Sequence, residues 1–378
     1  MVNLQRTLYQ SVSSHLFKGK VIVLYGARRV GKTTLAKSIL AEHGGAYFNA
    51  DEPDVRASLA NKTSVELKAY LGNKRLVVLD EAQRIENIGL TLKLLVDNFP
   101  DLQVIATGSS SFELSNVIIE PLTGRAFEFH LFPFSLGELK KFQSEQETHR
   151  TLEKRLLYGS YPEAVLQDDE GARATIMNIA QNYLFKDIFS FQDIRNPEVL
   201  EKLLQALALQ VGHEVSYTEL GETTGLDKNT VSQYIQLLEK AFIIFRLSPL
   251  SRNLRNELKR LRKIYFWDIG IRNAIINNFN PISLRQDVGA LWENFCIAER
   301  LKFQANNGRH VNAYFWRTHT QQEIDYLEES GGWIRGFEFK WKPKAYAPPP
   351  VFTKAYPQAR VSCVHRENFL EILNDDSS

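Results

Sequence analysis

The chain has 378 residues, of which 44% are apolar and 24% are charged, and its formal net charge is +2. This composition is that of a folded globular protein and excludes extensive disorder, and the length suffices for two or three domains. A net charge so close to zero gives no overall attraction to nucleic acid, so any such role requires a local basic surface.

The two cysteines, Cys296 and Cys363, are too few for a disulfide framework or a zinc site. The N-terminal segment lacks an apolar region of signal-peptide length, and apolar runs such as "VIVL" and "LVVL" fall far short of the ~20 residues that cross a bilayer. We therefore expect a cytoplasmic protein without a membrane partner.

A glycine-rich loop is the first strong motif. The apolar run "KVIVLYG" is typical of a buried parallel strand, and "GARRVGKTTL" follows it with helical spacing from Leu35. The junction fits G-x-x-x-x-G-K-[ST], in which loop N–H groups cradle phosphates at a helix N-terminus. Lys32 would reach the β- and γ-phosphates, and the Thr33 hydroxyl would ligate Mg²⁺. The sequence thus predicts ATP and Mg²⁺ as cofactors, bound by Gly26, Ala27, Arg28, Arg29, Val30, Gly31, Lys32, Thr33 and Thr34.

A second apolar strand, "RLVVLDEAQ", ends in two acids. The carboxyl ends of strands in an open α/β sheet are where such folds bind ligands. Asp80 would hold the Mg²⁺ shell, and Glu81 would polarise the attacking water. The alternative is an exposed acidic turn after a strand.

The third apolar run, "LQVIATGSSS", places the hydroxyls of Thr107, Ser109 and Ser110 at its tip, where one could orient water or touch the γ-phosphate. Serines are also common in turns. In the following "LTGRAFEFHLFPFSLGEL", Arg125 is a candidate arginine finger supplied to a neighbouring subunit, or an ordinary surface arginine.

The order of "GARRVGKTTL", "VVLDEAQ", "ATGSSS", "LTGR…LFPFSLGEL" and "YGSYPEAV" resembles a family of archaeal and bacterial AAA-type ATPases that carry an appended nuclease-like domain. The resemblance implies an AAA-like sheet, a small helical lid, a winged helix and a terminal domain. It also implies that Ser109 or Ser110 takes the sensor position and Arg125 the finger position. Assembly as a homo-oligomer follows from this resemblance and from Arg125.

The middle of the chain reads as a helix-turn-helix. "SYTELGETTGLDKNTVSQYIQLLEKAFII" predicts a helix from Thr218, a turn at Gly225 and a second helix from about Lys228, with Asp227 as its N-cap. Lys228, Asn229, Thr230 and Gln233 would face outward at its start, which suits DNA contact, although winged helices also serve as packing modules.

A basic stripe follows in "RLSPLSRNLRNELKRLRK". Its cations would neutralise phosphates of nucleic acid, and the alternatives are a solvated wing or a surface that docks acidic patches. The stripe consists of Arg246, Arg252, Arg255, Lys259, Arg260, Arg262 and Lys263.

The last hundred residues carry a helix, "GALWENFCIAERLKFQ", with Glu293, and two strands, "QEIDYLEE" and "WIRGFEFKWK", around a Gly-Gly turn. Alternation would aim Asp325, Glu338 and Lys340 into one cleft. Two carboxylates can hold a Mg²⁺ ion that activates water. Lys340 would orient that water, and Glu293 would complete the set of ligands around the ion. The pattern resembles PD-(D/E)xK nucleases, although no Pro-Asp precedes it. The alternative is a decayed site or a solvated sheet face.

We therefore predict an α/β protein with a P-loop AAA-like parallel sheet and a helical lid, followed by a winged helix and a C-terminal α/β nuclease-like domain. The predicted domains are residues 1–150, 151–196, 197–280 and 281–378. The predicted function is Mg²⁺-dependent ATP hydrolysis that gates DNA engagement. The alternative is a nucleotide-controlled switch that holds DNA or a protein without cutting.

Overall fold

The structure, a computed structural model, describes residues 4–108, 122–184, 197–250 and 262–374. Contacts divide the chain into a first unit, Met1–Phe132 with Lys240–Phe242, and a second unit, Pro133–Glu239 with Ile243–Ser378. The four predicted domain ranges are finer than this division and remain predictions. No helix in the described ranges has the length and apolar character needed to cross a membrane.

The first unit is built on five parallel strands in the order β2-β3-β4-β1-β5. The predicted α/β class and parallel sheet are thereby confirmed. In chain order the elements are α1 (Leu8–Ser13), β1 (Val21–Tyr25), α2 (Lys32–His43), β2 (Ala46–Asn49), α3 (Pro53–Leu59), α4 (Ser64–Leu71), β3 (Leu76–Asp80), a 3₁₀ turn (Ala82–Arg84), α5 (Ile88–Asn98), β4 (Gln103–Gly108) and β5 (Ala126–His130).

The central strands β1, β3 and β4 are buried along their whole length, as their nearly continuous apolar runs predict. The register pairs Tyr25 with Gly108 and Asn49 with Asp80. The strand ends of β1, β2, β3 and β4 therefore meet at one edge of the sheet, where open α/β folds bind ligands.

The second unit combines helices with a mixed sheet. In chain order its elements are α6 (Leu136–Leu139), α7 (Glu145–Arg150), α8 (Leu152–Tyr158), α9 (Pro162–Val165), α10 (Asp169–Asn178), a π-helical turn (Ile179–Leu184), α11 (Pro197–Leu209), β6 (Glu214–Val215), α12 (Tyr217–Thr224), α13 (Lys228–Lys240), β7 (Ile244–Pro249), β8 (Arg262–Phe266), α14 (Ile269–Ile275), a 3₁₀ turn (Ile282–Leu284), α15 (Val288–Asn306), β9 (Asn312–Arg317), β10 (Glu323–Ser330), β11 (Trp333–Phe339), α16 (Pro350–Ala355), β12 (Arg360–Val364) and a 3₁₀ turn (Phe369–Leu373).

Seven strands of this unit form one sheet in the order β12-β11-β10-β9-β7-β8-β6. The join is made by β7 and β9, which run parallel with Ser248 opposite Tyr314. The strands from the predicted winged-helix segment and those from the predicted nuclease-like segment thus share a single sheet. Between Ile324 and Leu327 the pairing of β10 with β9 shifts, and such bulges re-aim side chains locally.

The glycine of the "YGSYPEA" segment lies against the buried carboxylate of Asp268. Asp268 caps α14 by accepting from the Ile271 N–H at 3.2 Å, and it also accepts from the Ser160 N–H at 2.7 Å. Gly159 has φ +72°, and a Cβ there would lie 1.9 Å from Asp268 Oδ1. Only glycine allows this close approach of backbone to a buried carboxylate.

Candidate nucleotide site and carboxylate cluster

The glycine-rich loop closes tightly between β1 and α2. A Cβ on Gly26 would lie 2.1 Å from the Leu131 carbonyl oxygen, so no larger residue fits. Gly31 has φ +99° and Arg29 φ +64°, a left-handed conformation that curls the backbone before the helix begins at Lys32. The predicted strand–loop–helix arrangement is present.

The Lys32 ammonium lies inside the loop. The residue is buried, and its Nζ donates to the carbonyl oxygens of Gly26 at 2.8 Å and Ala27 at 2.9 Å. A cation at this point, beside a helix N-terminus, favours an anion such as phosphate.

Asp80 is the centre of a hydrogen-bond network at the end of β3. Its Oδ2 accepts from the Thr33 hydroxyl at 2.8 Å and from the Tyr47 hydroxyl at 2.5 Å, and its Oδ1 accepts from Thr107. Burial and the Asp80 carboxylate raise the pKa of Tyr47 above its ordinary value, which keeps the phenol a donor. Sequence reasoning singled out Thr33, Asp80 and the hydroxyls after β4, but not Tyr47.

Glu81 follows in a left-handed backbone conformation, with φ 51°. Its N–H donates to the Thr107 hydroxyl at 3.2 Å, and its Oε2 accepts from the Gln83 amide at 2.6 Å. Thr107 therefore contacts both predicted acids. The signal for this role is its place in "ATGSSS" at the carboxyl end of β4.

The donor set fits magnesium and a nucleotide phosphate. Thr33 and Asp80 supply hard oxygen ligands, which Mg²⁺ prefers, next to a loop whose N–H groups and lysine suit phosphate. Thr33 and Asp80 would hold the ion, and residues 26–34 would hold the phosphates.

Ser109 and Ser110, the two candidates for the sensor position, lie outside the described residues. Arg125 lies before β5, where its carbonyl accepts from the Val21 N–H at 2.9 Å. This is the amino edge of the parallel sheet, opposite the glycine-rich loop, and its guanidinium pairs with Asp97 at 2.7 Å. Arg125 therefore cannot serve the loop of its own chain, and a finger role in a neighbouring copy stays a prediction.

The four side chains predicted for a nuclease site lie together in the second unit. Asp325 Oδ2 accepts from the Phe339 N–H at 2.8 Å, and Lys340 Nζ lies 2.6 Å from Glu338 Oε1. Burial and the charges of Glu293 and Glu338 raise the pKa of Asp325 well above its ordinary range. Burial also raises the pKa of Glu338, although Lys340 opposes it.

A lysine from the predicted basic stripe joins this cluster. Lys263 Nζ lies 3.0 Å from Glu293 Oε1 and pairs with Glu323, and the residue is only 2% exposed. The Tyr265 hydroxyl donates to the same Glu293 oxygen at 2.5 Å. The prediction that Lys263 contacts phosphate is wrong, because its ammonium is buried among carboxylates of its own chain.

Another member of the basic stripe also binds side chains of its own chain. Arg246 donates to Glu239 at 2.7 Å and to the Tyr217 hydroxyl at 3.0 Å. Four of its other predicted members lie outside the described residues: Arg252, Arg255, Lys259 and Arg260.

The predicted nuclease metal set does not fit a divalent ion in this arrangement. Within the described ranges, no three or more His, Cys, Asp or Glu side chains are grouped so that they could hold a metal ion. Glu293, Asp325 and Glu338 are near one another, but Lys263, which is not part of the predicted site, pairs with Glu293. The magnesium site expected beside the glycine-rich loop would use one hydroxyl and one carboxylate. The absence of a group of three such side chains in the described ranges therefore does not exclude it.

Two helices lie where the sequence predicts a helix-turn-helix. α12 and α13 are joined through Gly225, which has φ +75°, and Asp227 caps α13 by accepting from the N–H groups of Asn229 at 2.9 Å and Thr230 at 3.1 Å. Lys228, Asn229 and Gln233 are exposed at the start of α13.

Three family models match consecutive parts of the chain. Residues 18–140 match an AAA domain, residues 149–281 a domain of unknown function (DUF8612), and residues 288–363 another domain of unknown function (DUF4143).

The chain is similar to uncharacterized proteins of distant organisms. It is 26% identical to one of Mycobacterium tuberculosis over 330 residues, which cover 86% of this chain and 71% of that protein. It is 24% identical to one of Methanocaldococcus jannaschii over 346 residues, which cover 85% of this chain and 75% of that protein.

Among solved structures, the Walker-type ATPase PABY2304 of Pyrococcus abyssi is 18% identical, with a TM-score of 0.46 over 71% of this chain and 93% of that one. A signal-transduction ATPase with numerous domains from Pyrococcus horikoshii is 11% identical, with a TM-score of 0.28 over 78% of this chain and 44% of that one. The site geometry and the AAA match agree without them. Residues 18–140 match an AAA domain, and their strand–loop–helix arrangement and parallel sheet are those of a P-loop ATPase fold.

Proposed function

We propose that this protein binds ATP with Mg²⁺ through its glycine-rich loop and hydrolyses it with water. The observation that carries the proposal is the joining of Thr33 and Asp80 by a 2.8 Å hydrogen bond beside the buried ammonium of Lys32. These side chains lie at the carboxyl edge of the sheet, and they would supply the phosphate ligand and the metal ligands that phosphoryl transfer requires.

Each side chain has a distinct task in this proposal. Mg²⁺, when bound, would neutralise charge on the phosphate oxygens. Lys32 would place its ammonium on the β- and γ-phosphates, and Thr33 and Asp80 would hold the ion. Glu81 would accept a proton from the attacking water, and Thr107 would position Glu81 through its N–H.

Equilibrium binding of a fluorescent ATP analogue with Mg²⁺ tests the first step. Lys32→Ala should weaken binding about tenfold to a hundredfold, because a charge-assisted hydrogen bond is worth about 1.5–3 kcal/mol. Lys74→Ala is the matched control, since Lys74 is exposed just before β3, at the amino edge of the sheet. Equal affinity in wild type and Lys32→Ala would remove the loop as the nucleotide site.

For the second unit, we propose that the nucleotide state controls engagement of DNA through α13, with the C-terminal segment as a platform that does not cut. The exposed polar start of α13 favours nucleic-acid contact, and Lys263 within the carboxylate cluster favours the non-cutting alternative. A homo-oligomer in which Arg125 serves a neighbouring copy remains part of this proposal.

Fluorescence anisotropy with duplex DNA at several salt concentrations tests the DNA proposal. The double change Lys228→Ala and Gln233→Ala should weaken binding and lower the salt slope by about one, because one phosphate contact is lost. Lys354→Ala, an exposed lysine on α16, is the control. DNA binding that the double change leaves unaltered would exclude α13 as the DNA contact, and absence of DNA binding by wild type would favour a protein partner instead.

A further inference from the structure

We propose that the Lys263 ammonium is the resident cation of the carboxylate cluster, so that this site is held by a lysine in the place where a nuclease would hold a divalent metal ion. The proposal is independent of ATP binding by the first unit, since every residue in it belongs to the second unit.

The surroundings of Lys263 are those of a bound ion. Its Nζ lies 3.0 Å from Glu293 on α15, pairs with Glu323 on β10, and stands 5.5 Å from the centre of the Phe315 ring on β9. The side chain is 3% exposed, so these groups replace water around the ammonium. One cation therefore joins three separate elements to β8.

The other carboxylates of the cluster also have partners. Glu338 pairs with Lys340 at 2.6 Å, and Asp325 accepts the Phe339 N–H at 2.8 Å. Lys263 Nζ lies within ion-pair distance of two carboxylates, Glu293 and Glu323, and this geometry favours the charged ammonium. A divalent ion on Glu293 would lie beside this charge and be repelled by it.

One atom argues for the opposite outcome and makes the question testable. Glu338 Oε2 is buried and has no hydrogen-bond partner among the described residues. If this oxygen belonged to a metal site, a divalent cation would bind to the cluster in spite of Lys263.

Manganese binding, followed by the loss of the free-ion electron paramagnetic resonance signal, distinguishes the two outcomes. The full chain with Asp80→Asn serves as background, because that change weakens the metal site of the glycine-rich loop. We expect this background protein to bind no Mn²⁺ at the carboxylate cluster. Adding Lys263→Met should create one site per chain, at least tenfold tighter than any residual binding, because the carboxylates lose their cation. A further Glu293→Gln should abolish the new site.

Two results would overturn the proposal. The first is one Mn²⁺ bound by the background protein and lost on Asp325→Asn. The second is a folded Lys263→Met protein that binds no more Mn²⁺ than the control Lys354→Met.

A second measurement holds if Lys263→Met does not fold. In the wild-type chain, amine-reactive labelling should modify exposed Lys342 and Lys354 at least a hundredfold faster than Lys263. Adding Mn²⁺ should leave that protection unchanged. Labelling of Lys263 that rises with Mn²⁺ would show that the ion displaces the ammonium, and it would refute the proposal. If the chain did not bind ATP, Mn²⁺ binding at the cluster and labelling of Lys263 would both be unaltered.

Discussion

The Thr33 hydroxyl donates a 2.8 Å hydrogen bond to Asp80 Oδ2, across 47 residues of sequence. This bond joins the start of α2 to the end of β3 at the carboxyl edge of the parallel sheet. The two proposed magnesium ligands are therefore positioned by the fold itself, and the hydroxyls of Tyr47 and Thr107 share Asp80 with Thr33.

Tyr47→Phe should tighten binding of Mg²⁺ and ATP about threefold to tenfold. The Tyr47 hydroxyl donates to the same Asp80 oxygen as Thr33, at 2.5 Å, and so competes with a metal-bound group for it. A hydrogen bond of this kind contributes about 1 kcal/mol. Thr33→Ala should have the opposite sign, because it removes a ligand. Isothermal titration calorimetry at fixed Mg²⁺ measures both, and weaker binding by Tyr47→Phe would show that the phenol supports the site.

Thr107→Val should lower kcat for ATP hydrolysis at least about tenfold and leave KM within about threefold. The hydroxyl donates to Asp80 and accepts the Glu81 N–H, so its loss releases the proposed base from its position. Thr107→Ser keeps the hydroxyl and should restore most of kcat. If Thr107→Ser were as slow as Thr107→Val, the methyl packing of Thr107, and not its hydroxyl, would be the cause.

Gly159→Ala should destabilise the second unit by about 3 kcal/mol, because the new Cβ would lie 1.9 Å from Asp268 Oδ1 in a left-handed backbone conformation. Gly289→Ala is the matched control within the same unit. Gly289 lies in α15 with open space around it, so alanine there should raise the free energy of unfolding by about 0.5–1 kcal/mol. All five tryptophans belong to the second unit, so their fluorescence during urea unfolding reports on it alone. Equal midpoints for the two variants would contradict the proposed close contact.

Asp287→Asn should remove an acid-dependent part of the stability of the second unit. Burial alone would raise the pKa of Asp287, but hydrogen bonds from Arg285 and Arg272 outweigh it and lower the pKa to about 2, from an ordinary 3.8. A carboxyl group whose pKa is lowered by folding stabilises the folded state fully at pH values above its pKa in the unfolded chain. This stabilisation is lost as the pH falls from about 4 to about 2.

The contribution of Asp287 is about 2 kcal/mol at neutral pH by the same linkage. Tryptophan-monitored unfolding at pH 7, 4 and 2.5 should show that Asp287→Asn is less stable than wild type at pH 7 and pH 4, and that the difference shrinks to roughly a third at pH 2.5. Glu222→Gln, at an exposed carboxylate on α12 of the second unit, is the control. A difference that persists undiminished at pH 2.5 would refute the assignment to ionisation of Asp287.

Local patterns allowed much of the first unit to be predicted from the sequence. The loop between Gly26 and Thr33 consists of neighbouring residues, and a buried parallel strand before it leaves a nearly continuous apolar run. Tyr47 could not be predicted, because only the pairing of β2 with β3 brings an aromatic residue without a motif to Asp80.

Lys263 shows why charge density alone misleads. In sequence it ends a run of basic residues, which favours a solvated or phosphate-binding face. In the structure it belongs to β8, where Ile264, Tyr265 and Phe266 continue as buried residues. The apolar run "IYF" was a signal that the strand is buried, but the acids that receive the lysine come from α15 and β10 through tertiary packing.

The most direct test of the central claim, that residues 18–140 form a working ATPase, is the release of phosphate from ATP by wild type and Glu81→Gln. We predict Mg²⁺-dependent turnover in wild type, and at least a hundredfold lower kcat in Glu81→Gln with nucleotide affinity within about threefold. Turnover by Glu81→Gln at the wild-type rate would contradict Glu81 as the base. Absence of turnover in wild-type protein that binds ATP would contradict hydrolysis and leave a nucleotide-binding switch.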